Sequence, residues 1–373
     1  MKRRRFLRTT GTGIVLTGGV AGCLGGPPGT GDSGGSDGSG SGDESGEMNL
    51  GIISGPGGFG DKAYNDMALK GLNRAVEEFG GSVNQVQGSG GEYESLQSQL
   101  AEASTDYDLI VCVGFYQADA LKKNASNYPD QKWMLINQGL FKENGDHFPN
   151  VAGYVWANHE MSYLAGVAAG TATSRELSHD DNSNDPSTKT VGFVGGVDSA
   201  LIRAFERAYL KGVERVDSEV EVKVGYAGSF QDPSAGKEVA LSQYDEGADI
   251  VYHAAAGTGP GIFQAAQERD RFAIGVDADQ SKSLPKYSDV IVGSAVKYLD
   301  VGTYTVSKAI RNDSWSDVSG RHVLGIEQDA VAFVPGVDVG PKLPSAVEEN
   351  LESARQGIVD GDITVPCTAA GCQ

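Results

Sequence analysis

Cysteine and histidine are scarce in this chain, with 4 Cys and 5 His among 373 residues. The histidines are scattered, and neither a His-Glu-x-x-His nor a Cys-x-x-Cys motif occurs, so the ligand spacings of common zinc sites are missing. We therefore expect neither a metal centre nor a bound cofactor.

Basic residues are also few. The chain has 30 Lys and Arg against 50 Asp and Glu, which gives a formal net charge of −20. Such an acidic surface repels nucleic acid and anionic membranes, and this excludes both as binding partners of the folded portion. The acidic residues are spread along the whole chain, so we interpret them as an adaptation to high salt, typical of a halophilic protein, rather than as a ligand preference.

Long apolar runs are missing as well, because the apolar segment at residues 13–21 is too short to span a bilayer. It follows Arg3-Arg4-Arg5-Phe6-Leu7, which resembles a twin-arginine export signal. It leads into Val20-Ala21-Gly22-Cys23, which resembles a lipobox. We expect a lipoprotein signal peptide at residues 1–22, lipidation of Cys23 as a membrane anchor, and location on the extracellular face of the cell membrane. The alternative is an ordinary cleaved signal in which Cys23 has no role.

Residues 23–47 are rich in Gly, Ser and Asp and almost free of apolar residues, as is typical of a flexible tether. Without the signal the net charge is about −25. Among the remaining cysteines, Cys112 lies in an apolar run and is predicted to be a small core residue. The sequence leaves open whether Cys367 and Cys372 form a disulfide or are free thiols in the tail.

Short apolar runs alternate with helical patterns twice along the chain, which predicts an α/β fold of two lobes, each with a parallel sheet flanked by helices. We expect the first lobe at residues 48–172, an exposed insertion loop at 173–190, and the second lobe at 191–298. Residues 299–373 are expected to cross back to the first lobe and end in a C-terminal helix and tail. Ligand sites in such sheets lie beyond the carboxyl ends of the strands.

The segment Gly60-Asp61-Lys62-Ala63-Tyr64-Asn65-Asp66 resembles the basic membrane protein (BMP) family of substrate-binding lipoproteins, which includes purine nucleoside receptors. Further matching segments follow in the same order, so that the resemblance covers residues 48–366. They are Tyr163-Leu164-Ala165-Gly166-Val167-Ala168-Ala169-Gly170, Val191-Gly192-Phe193-Val194-Gly195-Gly196, Ala256-Gly257-Thr258-Gly259-Pro260-Gly261, Gly275-Val276-Asp277-Ala278-Asp279-Gln280 and Gly293-Ser294-Ala295-Val296-Lys297.

The resemblance implies a two-lobed, type I periplasmic-binding-protein-like fold with a hinge between the lobes. It also implies a solute-binding protein of an ABC importer, which would bind a nucleoside in the cleft and deliver it to an ABC permease in the membrane. We expect no enzymatic activity. The alternatives are a sensor, a receptor for another small solute, or a secreted nucleosidase, although no clustered carboxylates typical of such an enzyme follow the strands.

The resemblance implies that Tyr64 and the adjacent Asn65 belong to the ligand site, with the Tyr64 ring stacking on the base. Phe230 is our choice for the opposing ring, whereas the spacing of Phe205 suits a helix face and predicts core packing. These assignments suit a ligand with a flat aromatic base.

The ribose requires a carboxylate acceptor and a cationic donor, and Asp277 and Lys297 follow two predicted strands at suitable places. Gly257 and Gly259 would let the backbone approach the ligand closely. Asn137 is a further site residue, and it stands where the family commonly has Asp. Together with Gly55 in place of an acidic residue, it leaves the preferred base open.

Overall fold

The structure is a computed structural model and describes residues 46–367. The predicted signal, Cys23, most of the tether and Cys372 lie outside the described residues. Within them, residues from Met48 onward form two six-stranded α/β layers and one small hairpin.

Strands and helices are numbered here in chain order. The strands are Met48–Ile53 (β1), Gly81–Val86 (β2), Leu109–Cys112 (β3), Trp133–Ile136 (β4), Val151–Trp156 (β5), Ser178–His179 (β6), Asn182–Ser183 (β7), Thr190–Gly195 (β8), Glu221–Tyr226 (β9), Ile250–Ala254 (β10), Phe272–Asp277 (β11), Ile291–Lys297 (β12), Gly320–Leu324 (β13) and Val331–Pro335 (β14). The helices are Tyr64–Phe79 (α1), Tyr93–Ala101 (α2), Ala118–Asn127 (α3), Asn158–Thr173 (α4), Ala200–Val216 (α5), Pro233–Asp245 (α6), Gly259–Glu268 (α7), Gln280–Ser283 (α8), Leu299–Arg311 (α9) and Ser345–Val359 (α10).

The two sheets repeat one topology. The first has the order β13-β5-β4-β3-β1-β2 and is parallel throughout, and the second has the order β14-β12-β11-β10-β8-β9 with only β14 antiparallel. Every residue of β3, β4, β10 and β11 is buried, because helices cover both faces of a parallel sheet. The predicted two-lobed α/β class is confirmed.

Helix α6 of the second lobe begins where the sequence supplies a capping group. Asp232 precedes Pro233 at the first turn of α6, and its carboxylate accepts hydrogen bonds from the backbone N–H of Ser234 (3.0 Å) and Ala235 (3.1 Å). The cap and the proline together fix where α6 starts.

Three segments join the lobes: β5 leads into α4, β12 leads into α9, and β13 leads into β14. Helix α4, which the sequence analysis placed in the first lobe, packs instead on α5 and α10 of the second lobe. The reason is close helix contact through glycine, since a Cβ on Gly166 would lie 2.1 Å from the backbone oxygen of Tyr209. A Cβ on Gly212 would likewise lie 2.1 Å from the backbone oxygen of Tyr163.

Two strands near the C-terminus, β13 and β14, were not predicted from the sequence. Strand β13 is only partly buried. Half of the residues in the segment 173–190 are exposed, and the segment contains the β6–β7 hairpin and a buried Asn182. Cys112 is buried and free, which confirms its predicted place in the core, and Cys367 is disulfide-bonded.

Across residues 46–367, no helix has both the length and the apolar character needed to cross a membrane.

Candidate functional site

A cavity lies between the lobes at the carboxyl ends of the central strands. Residues of both lobes line it. Six of the eight predicted site residues line it: Tyr64, Asn65, Asn137, Phe230, Asp277 and Lys297. The lobes already touch beside the cavity, where the Ser283 hydroxyl donates to the backbone oxygen of Lys62 at 2.8 Å.

Two buried polar side chains line the cavity, one from each lobe. Asn137 follows β4 and Asp277 ends β11, and both are at most 6% exposed. Oδ1 of Asn137 has no hydrogen-bond partner within residues 46–367, whereas Oδ1 of Asp277 lies 3.0 Å from the Lys297 ammonium. Because a buried acceptor without a donor costs free energy, Oδ1 of Asn137 marks where a donor group of a ligand would fit.

Lys297, at the end of β12, supplies a buried positive charge. Its Nζ lies 3.0 Å from Oδ1 of Asp277 and donates to Oδ1 of Asn158 at 3.0 Å. Burial lowers the pKa of Lys297, and the charge of Asp277 opposes that shift. An ammonium has three donors, so hydrogen-bonding capacity remains for a ligand.

Aromatic rings surround this charge. The Lys297 ammonium lies 4.5 Å from the ring centroid of Tyr64 and 5.7 Å from that of Phe205. Phe205 therefore lines the cavity as well as packing in the core, whereas the sequence analysis gave it a core role only. Burial raises the pKa of Tyr64, and its hydroxyl has no hydrogen-bond partner among the described residues.

Asn65 lines the cavity, but its side-chain amide already forms hydrogen bonds within the protein. Oδ1 accepts from the backbone N–H of Gly55 at 2.7 Å, and Nδ2 donates to Oδ2 of Asp61 at 2.9 Å. Asp61 also accepts from the backbone N–H of Ala63 and of Asn65 itself, and so caps α1. Burial raises the pKa of Asp61, while these hydrogen bonds oppose the shift.

The two predicted glycines do not line the cavity. A Cβ on Gly259 would lie 2.2 Å from the ring of His253, so this glycine admits a buried histidine rather than a ligand. Gly257 lies beside the cleft, where a Cβ would be 3.1 Å from the backbone oxygen of Phe230 and 4.0 Å from that of Gly57. Spacing alone could not separate these roles.

Phe115 and Tyr116 are among the lining residues that were not predicted from the sequence. They directly follow β3 and Gly114, so the rule that ligands bind beyond strand ends could have found them. Their rings stack at 4.0 Å, and the Tyr116 ring meets Phe230 of the other lobe edge-on at 6.2 Å.

Residues 46–367 contain no group of three or more His, Cys, Asp or Glu that could hold a metal ion.

The family model described as "ABC transporter substrate-binding protein PnrA-like" matches residues 50–369. The chain is 30% identical to the ABC transporter nucleoside-binding protein BmpA of Lactococcus lactis, over 86% of this chain and 89% of that one. It is 31% identical to an uncharacterised lipoprotein of Pyrococcus horikoshii, over 86% of this chain and 75% of that one. A solved ABC transporter solute-binding protein from Aeropyrum pernix is similar in structure, with a TM-score of 0.74, 26% identity and coverage of 86% and 94%.

Proposed function

The chain belongs to the family of PnrA-like ABC transporter substrate-binding proteins, and we propose that it binds a nucleoside, with a purine base, between its two lobes. The observation that carries this proposal is the pairing of aromatic rings with a buried carboxylate and ammonium in one cavity. A nucleoside has the matching parts, a flat base and a ribose rich in hydroxyls.

The base would stack on Tyr64 of the first lobe and Phe230 of the second, with Tyr116 closing the side of the cavity. Stacking contributes roughly 1–3 kcal/mol per base. Since the rings come from both lobes, base binding would favour the closed arrangement.

The ribose would lie at Asp277 and Lys297. A carboxylate accepts hydrogen bonds from two hydroxyls, and an ammonium donates to a hydroxyl oxygen. The two charges compensate each other at 3.0 Å, which suits an uncharged ligand better than a phosphorylated one.

Asn137 would contact the edge of the base. Its amide can both donate and accept, unlike a carboxylate, so it fits a base edge that presents one donor beside one acceptor. Asn65 would hold the Gly55 loop against α1, and Gly257 would shape the backbone at the mouth.

We also propose that Cys23 is lipidated after twin-arginine export and that the tether holds the receptor near an ABC permease, which it would supply with solute. Cys23→Ser should release the protein into the medium with its ligand affinity intact. Loss of binding in that variant would contradict the assignment of residues 23–47 as a tether.

The test is thermal unfolding in high salt with adenosine, inosine, guanosine, ribose, glucose and an amino acid mixture. A ligand that binds only the folded state adds about 2.7 kcal/mol at a hundredfold excess over Kd, so the melting temperature should rise with a purine nucleoside. Stabilisation by a sugar or amino acids alone would overturn the assignment. Incubation with inosine should release no free base, and release would support the nucleosidase alternative.

A further inference from the structure

The hydrogen bond between Lys297 and Asn158 links two of the three segments that join the lobes. Lys297 is the last residue of β12, just before the chain crosses to α9. Asn158 is the first residue of α4, just after the chain leaves β5. The Nζ–Oδ1 distance is 3.0 Å although 139 residues separate the two in sequence.

The ammonium of Lys297 is buried, with only 2% of the residue exposed. A buried charge requires both an opposite charge and hydrogen-bond acceptors, because its hydration is lost. Asp277 supplies the opposite charge. Among the described residues, Asn158 supplies the hydrogen bond of good geometry, and Asn158 is itself only 2% exposed.

Part of this burial depends on lobe closure. Tyr64, whose ring lies 4.5 Å from the ammonium, belongs to α1 in the first lobe, whereas Phe205 and Asp277 belong to the second. Separation of the lobes would remove the Tyr64 ring and admit water to Lys297. In the open state water can therefore accept hydrogen bonds from the Lys297 ammonium in place of the Asn158 amide oxygen. In the closed state it cannot.

We propose that Asn158 is a positioning residue that makes closure over Lys297 favourable and aims the remaining ammonium donors into the cavity. This proposal rests on ligand binding in the cleft, but its effect on closure holds for the ligand-free protein. Asn158 thereby favours the closed state and raises ligand affinity without having to touch the ligand.

The test compares Asn158→Leu, which has a similar size and no acceptor, with Asn158→Asp, which keeps an acceptor. The matched control is Asn150→Leu, since Asn150 is also buried but donates to backbone oxygens of Ala125, Tyr128 and Gln131 in the first lobe. All variants are made in the full chain.

The first measurement is the rate at which acetic anhydride acetylates Lys297 in the ligand-free protein, followed by mass spectrometry. Lys62, whose side chain is 54% exposed, serves as the internal reference. Lys297 should react far more slowly than Lys62 in the wild type and in Asn158→Asp. In Asn158→Leu its rate should rise about tenfold, which is the effect of a hydrogen bond to a charged group.

The second measurement is adenosine affinity, which should fall about tenfold or more in Asn158→Leu and stay unchanged in Asn150→Leu. Equal acetylation of Lys297 in the wild type and in Asn158→Leu would overturn the proposal, as would a wild-type Lys297 that reacts as fast as Lys62. A similar rise in Asn150→Leu would show general destabilisation and also overturn it. Failure of the wild type to bind adenosine, with the acetylation pattern as expected, would overturn the proposed ligand but not the role of Asn158.

Discussion

Asn137 and Asp277 occupy the same place in the two lobes: each lies at the carboxyl end of the equivalent strand, β4 or β11, and each has a left-handed backbone. Their φ angles are 66° and 68°. Asn and Asp adopt this conformation more readily than most residues, because their short polar side chains can form local hydrogen bonds. The repeated geometry turns one polar side chain from each lobe toward the shared cavity.

This geometry separates stability from binding at Asn137. Asn137→Ala and Asn137→Gly both remove the amide, so both should weaken nucleoside binding equally. Only Ala is strained at positive φ, so the free energy of unfolding should be about 1 kcal/mol lower for Asn137→Ala than for Asn137→Gly. Urea unfolding together with calorimetry checks both effects, and unequal loss of affinity would argue against a contact through the amide.

Asp277→Asn should be costly because it preserves shape but removes the charge opposite Lys297. Breaking a buried ion pair from one side costs about 3–5 kcal/mol, and we expect a loss in the free energy of unfolding near the lower end, since Asn158 still accepts from the ammonium. Asp198→Asn is the control, because that exposed carboxylate pairs with Arg203 on the surface. It should leave both the free energy of unfolding and the affinity nearly unchanged, because exposed ion pairs contribute little to stability.

The contact between α4 and α5 predicts a steric effect far from the cavity. Gly166→Ala places a methyl group 2.1 Å from the backbone oxygen of Tyr209, so the helices must separate. The free energy of unfolding should fall by about 1–3 kcal/mol. Gly91→Ala, where a Cβ meets nothing within 4 Å, should change it by less than about 0.5 kcal/mol. Equal effects in chemical denaturation would refute the close packing.

His253 should make stability depend on pH. Burial lowers its pKa from about 6.5 to about 4, opposed by the hydrogen bond with Gln280. Between these values the unfolded chain binds a proton that the folded protein does not, so stability is lost as pH falls from 6.5 toward 4. The full loss is roughly 3 kcal/mol.

His253→Gln removes this titration. Its free energy of unfolding should fall less steeply between pH 6.5 and 4 than that of the wild type. The difference in slope should correspond to at most about one proton bound on unfolding. Urea unfolding at closely spaced pH values measures the two slopes. Identical slopes would mean that His253 is protonated in the folded protein.

The sequence predicted the repeated α/β pattern well, because buried parallel strands such as β3 and β11 are short, continuous apolar runs. It also placed Asp277 and Lys297 at the cavity, since both lie at the carboxyl ends of strands. The lobe of α4 could not be predicted in this way, because small residues suit close packing against either lobe. The close approach of Gly166 to Tyr209 in the structure shows that α4 packs on the second lobe.

The sequence also could not show what each side chain or glycine faces in the folded protein. Phe205 lies on the buried side of α5, and helical periodicity does not distinguish a core from the wall of a closed cleft. Gly259 has the same flexibility as any ligand-contacting glycine, yet it accommodates His253. Strand β13 was missed because it is only partly buried, so its apolar signal is weak.

Isothermal titration calorimetry of the full chain in high salt, with adenosine, inosine and guanosine injected in turn, tests the central claim most directly. We predict saturable heat for at least one of them with a Kd of about 1 μM or tighter, equivalent to about −8 kcal/mol. The same titration of Tyr64→Ala should give an affinity weaker by roughly 1–3 kcal/mol, because a stacking ring is lost. No heat with any nucleoside, alongside clear heat with a sugar or an amino acid, would contradict the account.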